Sequence, residues 1–140
     1  MSAAGPGLTP ELFWLLMTAI LAALLWVPFI VLSSRPADAP FQSFARMARI
    51  SEMSDITQRA YRAHLNLLEQ FLPFAVVVLI AHLAGVSNGL TLAACAAFFW
   101  LRIAHAVGFI AGFARMPLRP LLFTGGWVCI LAIAAAILLA

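Results

Sequence analysis

The sequence predicts an all-α integral membrane protein, folded as an antiparallel four-helix bundle. Of the 140 residues, 65% are hydrophobic and 9% are charged, whereas about a quarter of the residues of a soluble domain are charged. Four apolar segments, at about residues 11–33, 62–84, 90–113 and 119–140, each match the roughly 20 residues with which a helix crosses a bilayer. Because these segments use nearly the whole chain, we expect a single membrane domain over residues 1–140.

The first segment opens with the residues of a helix start. Thr9 suits the capping position, Pro10 suits the first turn, and Glu11 lies near the positive end of the helix dipole. The apolar run that follows is longer than the roughly 7–15 residues of a signal-peptide core, and no basic residue precedes it. We therefore expect this segment to remain in the protein as a spanning helix.

The connection between the first two segments, about residues 35–60, is the only long one. Pro36 and Pro40 end the first helix, and no glycine or proline follows before Arg62. We expect part of this connection to form an amphipathic surface helix that leads into the second segment.

The other two connections are short. Residues 86–89, with the sequence Val-Ser-Asn-Gly, favour a tight turn. Residues 112–120 form a connection that is also short. Consecutive segments on either side of each connection should therefore pack as antiparallel neighbours. Pro73 lies within the second segment and is expected to kink it.

The distribution of arginine predicts the orientation in the membrane. Seven of the eight arginines lie in the first and third connections or at their edges, and the other side of the bundle carries no arginine or lysine. The positive-inside rule then places both basic connections in the cytoplasm and both termini of this multi-pass protein outside. Arginine without lysine, beside abundant alanine, favours a bacterial inner membrane.

Several classes of function lack support in the sequence. The arginines are scattered along a membrane rim and form no tract with interleaved aromatic residues, so we expect no nucleic-acid partner. Neither a zinc-type ligand spacing nor a glycine-rich phosphate loop occurs, so we expect no metal. Cys95 and Cys129 lie singly in apolar segments, as cysteines that fill a core do.

The second and third segments carry polar residues at helical spacing. Arg62, Asn66 and Glu69 share one face of the second segment, because successive helical residues rotate by about 100°. Arg102 and His105 lie one turn apart in the third segment, at a similar depth. A charge inside a bilayer is costly without a partner, so we expect Glu69 and Arg102 to form an ion pair.

These polar groups have two interpretations. They could serve only to hold the helices together. Alternatively, they could bind a ligand near one end of the bundle, where Arg115 and Arg119 also lie. An excess of guanidinium groups with one carboxylate suits a molecule that carries carboxylates and an ammonium group. It also suits a thiolate, because a neighbouring cation favours the ionised thiol.

At these residues the chain resembles the MAPEG family, the membrane-associated proteins in eicosanoid and glutathione metabolism. Residues 62–69 (Arg-Ala-His-Leu-Asn-Leu-Leu-Glu) and the Pro-Phe pair at 73–74 are similar to the signature of the family's second helix. Residues 102–105 resemble its Arg-x-x-His motif, and residues 115–119 its Arg-x-Pro-x-Arg turn. Three motifs in the right order make the resemblance specific.

The resemblance implies a homotrimer that binds glutathione as co-substrate in clefts between subunits, at the cytoplasmic side. Arg119, or alternatively Arg115, would hold the glutathione thiolate for attack on a lipophilic electrophile or peroxide that enters from the lipid bilayer. The remaining site residues would bind glutathione or line its pocket: Arg62, Asn66, Glu69, Arg102, His105 and Phe109.

Two residues depart from the family pattern. Leu65 stands where the prostaglandin-synthase-like members carry another arginine, and Phe109 stands where family enzymes often carry a tyrosine that contacts glutathione. Tyr61, the only tyrosine, points away from the Arg62–Glu69 face. The sequence therefore predicts a glutathione-dependent transferase or peroxidase. A non-catalytic membrane scaffold or accessory subunit, or a protein for another ligand, remains the alternative.

Overall fold

The computed structural model describes residues 7–43, 45–113 and 115–140. Within those ranges the chain is all helical and contains no strand. The five helices are α1 (Pro10–Leu24), α2 (Trp26–Ser33), α3 (Asp55–Leu83), α4 (Gly89–Ala111) and α5 (Leu118–Leu138). Because α1 and α2 together make one span, four helical stretches are long and apolar enough to cross a membrane. The predicted all-α membrane bundle is confirmed.

The first span starts as predicted and is interrupted once. The Leu12 N–H donates to the Thr9 hydroxyl at 3.3 Å, and Pro10 occupies the first turn. The helix is interrupted at Leu25, between α1 and α2. Pro28 explains this interruption, because it has no N–H to donate to the Leu24 carbonyl one turn earlier.

The long connection contains less helix than the sequence predicts. Only two short 3₁₀ turns form in it, at Ala39–Phe41 and Ile50–Glu52, and α3 starts at Asp55. The expected surface helix is therefore limited to the first turns of α3, which does extend ahead of the predicted span. From there α3 runs as one helix through Pro73 to its end.

A long-range contact determines where α3 starts. Asp38 is buried, and its carboxylate accepts the Ser54 N–H at 2.6 Å, the Ser54 hydroxyl at 2.7 Å and the Thr57 hydroxyl at 2.6 Å. A carboxylate at a helix N-terminus satisfies free N–H groups and interacts favourably with the helix dipole. Asp38 thereby holds Ser54, the residue that precedes α3, and the first-turn residue Thr57 in place from 16 and 19 residues away.

The short connections reverse the chain as predicted. Asn88 caps α4, accepting the N–H groups of Leu90 and Thr91. At the other end of α4, Gly112 adopts the left-handed conformation, with φ of 85°, that ends many helices. We call the end of the bundle with the 34–54 and 112–117 connections the loop end, and the end with the 84–88 turn the turn end.

The middle of the bundle is apolar and closely packed. The rings of Phe74 on α3 and Phe98 on α4 stack in parallel, with centroids 3.9 Å apart. Cys95 and Cys129 are buried in the same cluster as free thiols, as the sequence indicates. Ile133 of α5 completes this core. The packing places α3, α4 and α5 side by side, which positions the polar residues at the loop end.

Candidate functional site

A cleft of about 360 Å³ opens between α3, α4 and α5, toward the loop end. Four of the predicted site residues line it: Asn66 and Glu69 from α3, His105 from α4 and Arg119 from α5. The rest of the wall is mostly apolar and consists of Met116, Pro120, Phe123 and Thr124. Three helices thus bring an amide, a carboxylate, an imidazole and a guanidinium to one cavity.

Helical spacing explains the α3 side of the cleft. Asn66 and Glu69 are three residues apart, so their side chains are neighbours on one face. Glu69 is exposed, and the only ion pair in the described parts of the chain, Arg49 to Glu52 at 3.2 Å, lies elsewhere in the long connection. The Glu69 carboxylate is therefore available to a ligand.

An aromatic stack supports the opposite wall. The ring of His105, which is buried, lies nearly parallel to Phe109, with centroids 5.8 Å apart. The Arg119 guanidinium carbon lies 4.6 Å from the centroid of the same Phe109 ring, within the range of a cation–π contact. Phe109 therefore contacts both cleft residues and restrains the otherwise exposed Arg119 side chain.

The predicted ion pair between Glu69 and Arg102 is wrong. Arg102 is 1% exposed, and its Nη2 donates to the backbone carbonyl of Leu122 at 2.6 Å. Gln70, the residue after Glu69, faces α5 in its place and donates to the Phe123 carbonyl at 2.9 Å. The 100° rotation between neighbouring helical residues turns Glu69 toward the cleft and Gln70 toward α5.

Two predicted residues lie in adjoining clefts. Arg62 lines a cleft of about 230 Å³, and Arg115 lines one of about 710 Å³. Phe109 and Arg59 border both of these cavities. The structure therefore brings Arg62 and Arg115 to the loop end but outside the cavity of Asn66, Glu69, His105 and Arg119.

Sequence reasoning missed two polar residues that shape the site. One is Gln70, whose amide lies deep in an apolar segment. A polar side chain at such a position is a sequence signal for a buried hydrogen bond. The other is Arg59, whose Nε donates to the Ile110 carbonyl at 3.1 Å and ties α3 to the end of α4.

Tyr61 packs on Phe29 of α2, with centroids 5.1 Å apart. Its predicted orientation away from the Glu69 face agrees with this contact.

The described residues contain no group of three His, Cys, Asp or Glu side chains that could hold a metal ion. The cleft instead offers one carboxylate, one amide and one cation beside an apolar wall. A site of this composition can bind a small zwitterion and place a neighbouring apolar molecule against Met116, Pro120 and Phe123.

The MAPEG family model matches residues 13–139 of this chain. The chain belongs to the MAPEG family. The match extends from α1 to the end of α5 and therefore includes all four spans. No curated protein matches the sequence. MAPEG proteins share a membrane four-helix bundle and generally use glutathione, and they include glutathione transferases, peroxidases and non-catalytic members.

Proposed function

We propose that this MAPEG protein is a glutathione-dependent transferase or peroxidase that acts on lipophilic electrophiles. The observation that supports the proposal is the meeting of Asn66, Glu69, His105 and Arg119 in one cleft with an apolar wall. In this proposal the cleft binds glutathione, and the apolar wall receives the second substrate from the bilayer.

The charges of the cleft are complementary to glutathione. The exposed Glu69 carboxylate can accept the ammonium group of the γ-glutamyl residue, and the Asn66 amide can bond to a peptide or carboxyl group. Arg62 and Arg115, in the adjoining clefts, can hold the two carboxylates of the tripeptide. Arg102 is buried behind this surface and supports it without reaching the ligand.

Arg119 is the proposed partner of the thiolate. A guanidinium next to sulfur favours loss of the thiol proton to water, which leaves the nucleophilic form. In the transferase reaction the sulfur attacks the electrophilic carbon, and the leaving group departs with its bonding electrons. With a hydroperoxide the sulfur attacks the terminal oxygen and releases the alcohol. A second glutathione then converts the sulfenylated tripeptide to the disulfide and water.

Purified protein in detergent provides the test. We expect calorimetric binding of glutathione and turnover with an aryl halide or a lipid hydroperoxide. Arg119→Gln should lower kcat/KM by about 10²–10³-fold, the effect of removing one group that stabilises developing negative charge. Arg46→Gln removes an equal charge from the exposed long connection and should leave kcat/KM unchanged.

Absence of both binding and turnover would contradict the proposal and favour the alternative, a non-catalytic scaffold or accessory subunit that retains the fold. The departure at Phe109 is the observation behind that alternative, because a phenyl ring cannot supply the hydroxyl that a tyrosine offers. In that case Arg119→Gln would leave assembly and partner binding intact.

The proposal includes the assembly and the orientation of the protein. We propose a homotrimer in which neighbouring subunits complete the clefts, with the loop end in the cytoplasm, both termini outside and a bacterial inner membrane as the location. The arginines of the loop end support this orientation. Light scattering with detergent correction would test the trimer, and reaction of introduced cysteines with an impermeant maleimide on either side of the membrane would test the orientation.

A further inference from the structure

Two buried polar side chains from different helices bind adjacent carbonyls of α5. Gln70 on α3 donates through Nε2 to the Phe123 carbonyl at 2.9 Å, and Arg102 on α4 donates through Nη2 to the Leu122 carbonyl at 2.6 Å. Gln70 is 4% exposed and Arg102 is 1% exposed. A helical carbonyl has two lone pairs, so each can accept a side-chain donor beside its own helical N–H.

Gly126 provides the space for these contacts. A Cβ atom at this position would overlap Oε1 of Gln70 and lie 3.1 Å from Nη2 and 3.2 Å from Nε of Arg102. The neighbouring Gly125 differs, because a Cβ there would meet the methyl groups of Leu101, the nearest at 3.0 Å. The Leu101 methyl groups make no hydrogen bond and can move, whereas moving the end of the Gln70 or Arg102 side chain would disturb its bond to the Phe123 or Leu122 carbonyl. Gly126 is therefore required in a way that Gly125 is not.

The two contacts are costly in comparison with an apolar seam. Nε and Nη1 of Arg102 and Oε1 of Gln70 are buried and have no hydrogen-bond partner in the described chain. A buried polar atom without a partner carries its full desolvation penalty, which an apolar contact does not. What the polar contacts add is direction, because a donor must align with one particular carbonyl, whereas an apolar contact selects no single acceptor.

The selected carbonyls lie beside the site. Leu122 comes three residues after Arg119, which is less than one helical turn, and Phe123 itself lines the 360 Å³ cleft. A shift of α5 along its axis would therefore move Arg119 and Phe123 relative to Asn66 and Glu69 on α3.

We propose that Gln70, Arg102 and Gly126 are positioning residues. Together they set the register of α5 against α3 and α4, and so place the Arg119 guanidinium in the cleft. We call these three residues the α5 clamp. The catalytic consequence rests on the proposed function, but the structural consequence does not.

The catalytic test compares Gln70→Leu and Gly126→Ala with Gly125→Ala as the matched control. The two clamp variants should keep most of their affinity for glutathione, because Arg62, Asn66 and Glu69 stay on α3. Their kcat should fall by about 10²-fold, since a displacement of about 1 Å at the reacting groups has an effect of that size. The pH midpoint of the rate should also rise, because a displaced Arg119 favours the thiolate less.

Gly125→Ala should keep both kcat and the pH midpoint. An equal fall in Gly125→Ala would overturn the proposal. The proposal would also be overturned if the clamp variants gave less folded protein but the folded protein kept the wild-type kcat and pH midpoint. If Gly126→Ala does not fold, Gln70→Leu makes the same test, because it removes the donor at similar volume.

A second test does not depend on glutathione chemistry. Thr124→Cys places a thiol on the cleft wall, where a water-soluble maleimide can label it, while Cys95 and Cys129 are buried. Adding Gln70→Leu or Gly126→Ala should change the labelling rate, and adding Gly125→Ala should not. If the protein lacks glutathione activity, the proposed function fails, yet this rate still tests the clamp. Unchanged labelling in both clamp variants would contradict it.

Discussion

The two glutamates of the spanning helices occupy opposite ends of the bundle and opposite environments. Glu11, at the turn end, is buried and accepts the hydroxyl groups of Ser87 and Thr91, each at 2.8 Å. Glu69, toward the loop end, is exposed and lines a cleft without an ion-pair partner in the described structure. A carboxylate whose partners are already in place stabilises the fold, whereas one without them remains available to a ligand.

The contrast extends to the groups around each carboxylate. Ser87 and Thr91 belong to the turn between α3 and α4 and to the first turn of α4, so Glu11 joins α1 to both. His82 also borders that region, in a cavity of about 250 Å³. At the loop end the polar neighbours of Glu69 in the cleft come from three helices: the Asn66 amide, the His105 imidazole and the Arg119 guanidinium. The turn end therefore resembles a structural joint, and the loop end resembles a binding site.

The largest expected effect is on stability, at the turn end. Glu11→Ala removes a buried carboxylate that accepts two charge-assisted hydrogen bonds, from the buried Thr91 hydroxyl and the exposed Ser87 hydroxyl. We expect a loss of about 1–3 kcal/mol in the free energy of unfolding, while the folded fraction keeps its affinity for glutathione. Thermal unfolding in detergent measures the loss. Glu52→Ala, which removes an exposed ion pair worth about 0–1 kcal/mol, is the control. A smaller effect for Glu11 than for Glu52 would remove the contrast between the two ends.

The next effect is on binding, at Glu69. Glu69→Gln keeps the size of the side chain and removes the charge proposed to hold the ammonium group of glutathione. We expect the affinity to fall about tenfold, equivalent to about 1.4 kcal/mol, with no change in the melting temperature, because the carboxylate is exposed. Calorimetric titration and thermal unfolding of the same sample separate the two quantities. A drop in melting temperature without a loss of affinity would make Glu69 a structural residue like Glu11.

Asp38 is an acid of the loop end that, like Glu11, has its hydrogen-bond partners in place. The hydroxyl groups of Thr57 and Ser54, followed by the Ser54 N–H, hold the pKa of the Asp38 carboxyl below its ordinary value. The ionised form is therefore favoured in the folded state. Its contribution to stability is complete above the ordinary pKa of about 3.9 and is lost as the pH falls through the lower pKa of the folded state.

Asp38→Asn should therefore lower the melting temperature at neutral pH and reduce its dependence on pH under acidic conditions. Melting curves between about pH 7 and about pH 3, which bracket the carboxyl pKa, would show this. An equally steep acid dependence in wild type and variant would assign the effect to another group. Glu69→Gln provides the comparison with an acid that has no partner in the fold.

The sequence predicts which residues of α3 share a face, but it does not predict which helices that face contacts. Helical spacing correctly places Asn66 and Glu69 on one face, and the cleft contains both. It does not show which neighbour that face meets, because Glu69 and Gln70 differ by one position and point to different helices. Local sequence also does not show where the long connection ends, since Asp38 binds Ser54, the residue before α3, from 16 residues away. Both errors concern contacts between elements, whereas the four spans themselves follow from hydropathy and capping residues.

The smallest expected effect is the coupling between Glu69 and Arg102. A partnered pair would make the loss in the double variant Glu69→Ala/Arg102→Leu smaller than the sum of the two single losses. Arg102 donates to the Leu122 carbonyl instead, so we expect the two losses in the free energy of unfolding to add within about 0.3–0.5 kcal/mol. Arg102→Leu combined with Gln70→Leu should depart from additivity, because both side chains reach adjacent carbonyls beside Gly126. If Glu69 and Arg102 were coupled while Gln70 and Arg102 were additive, the ion pair between Glu69 and Arg102 would be supported, and Glu69 would be a structural residue.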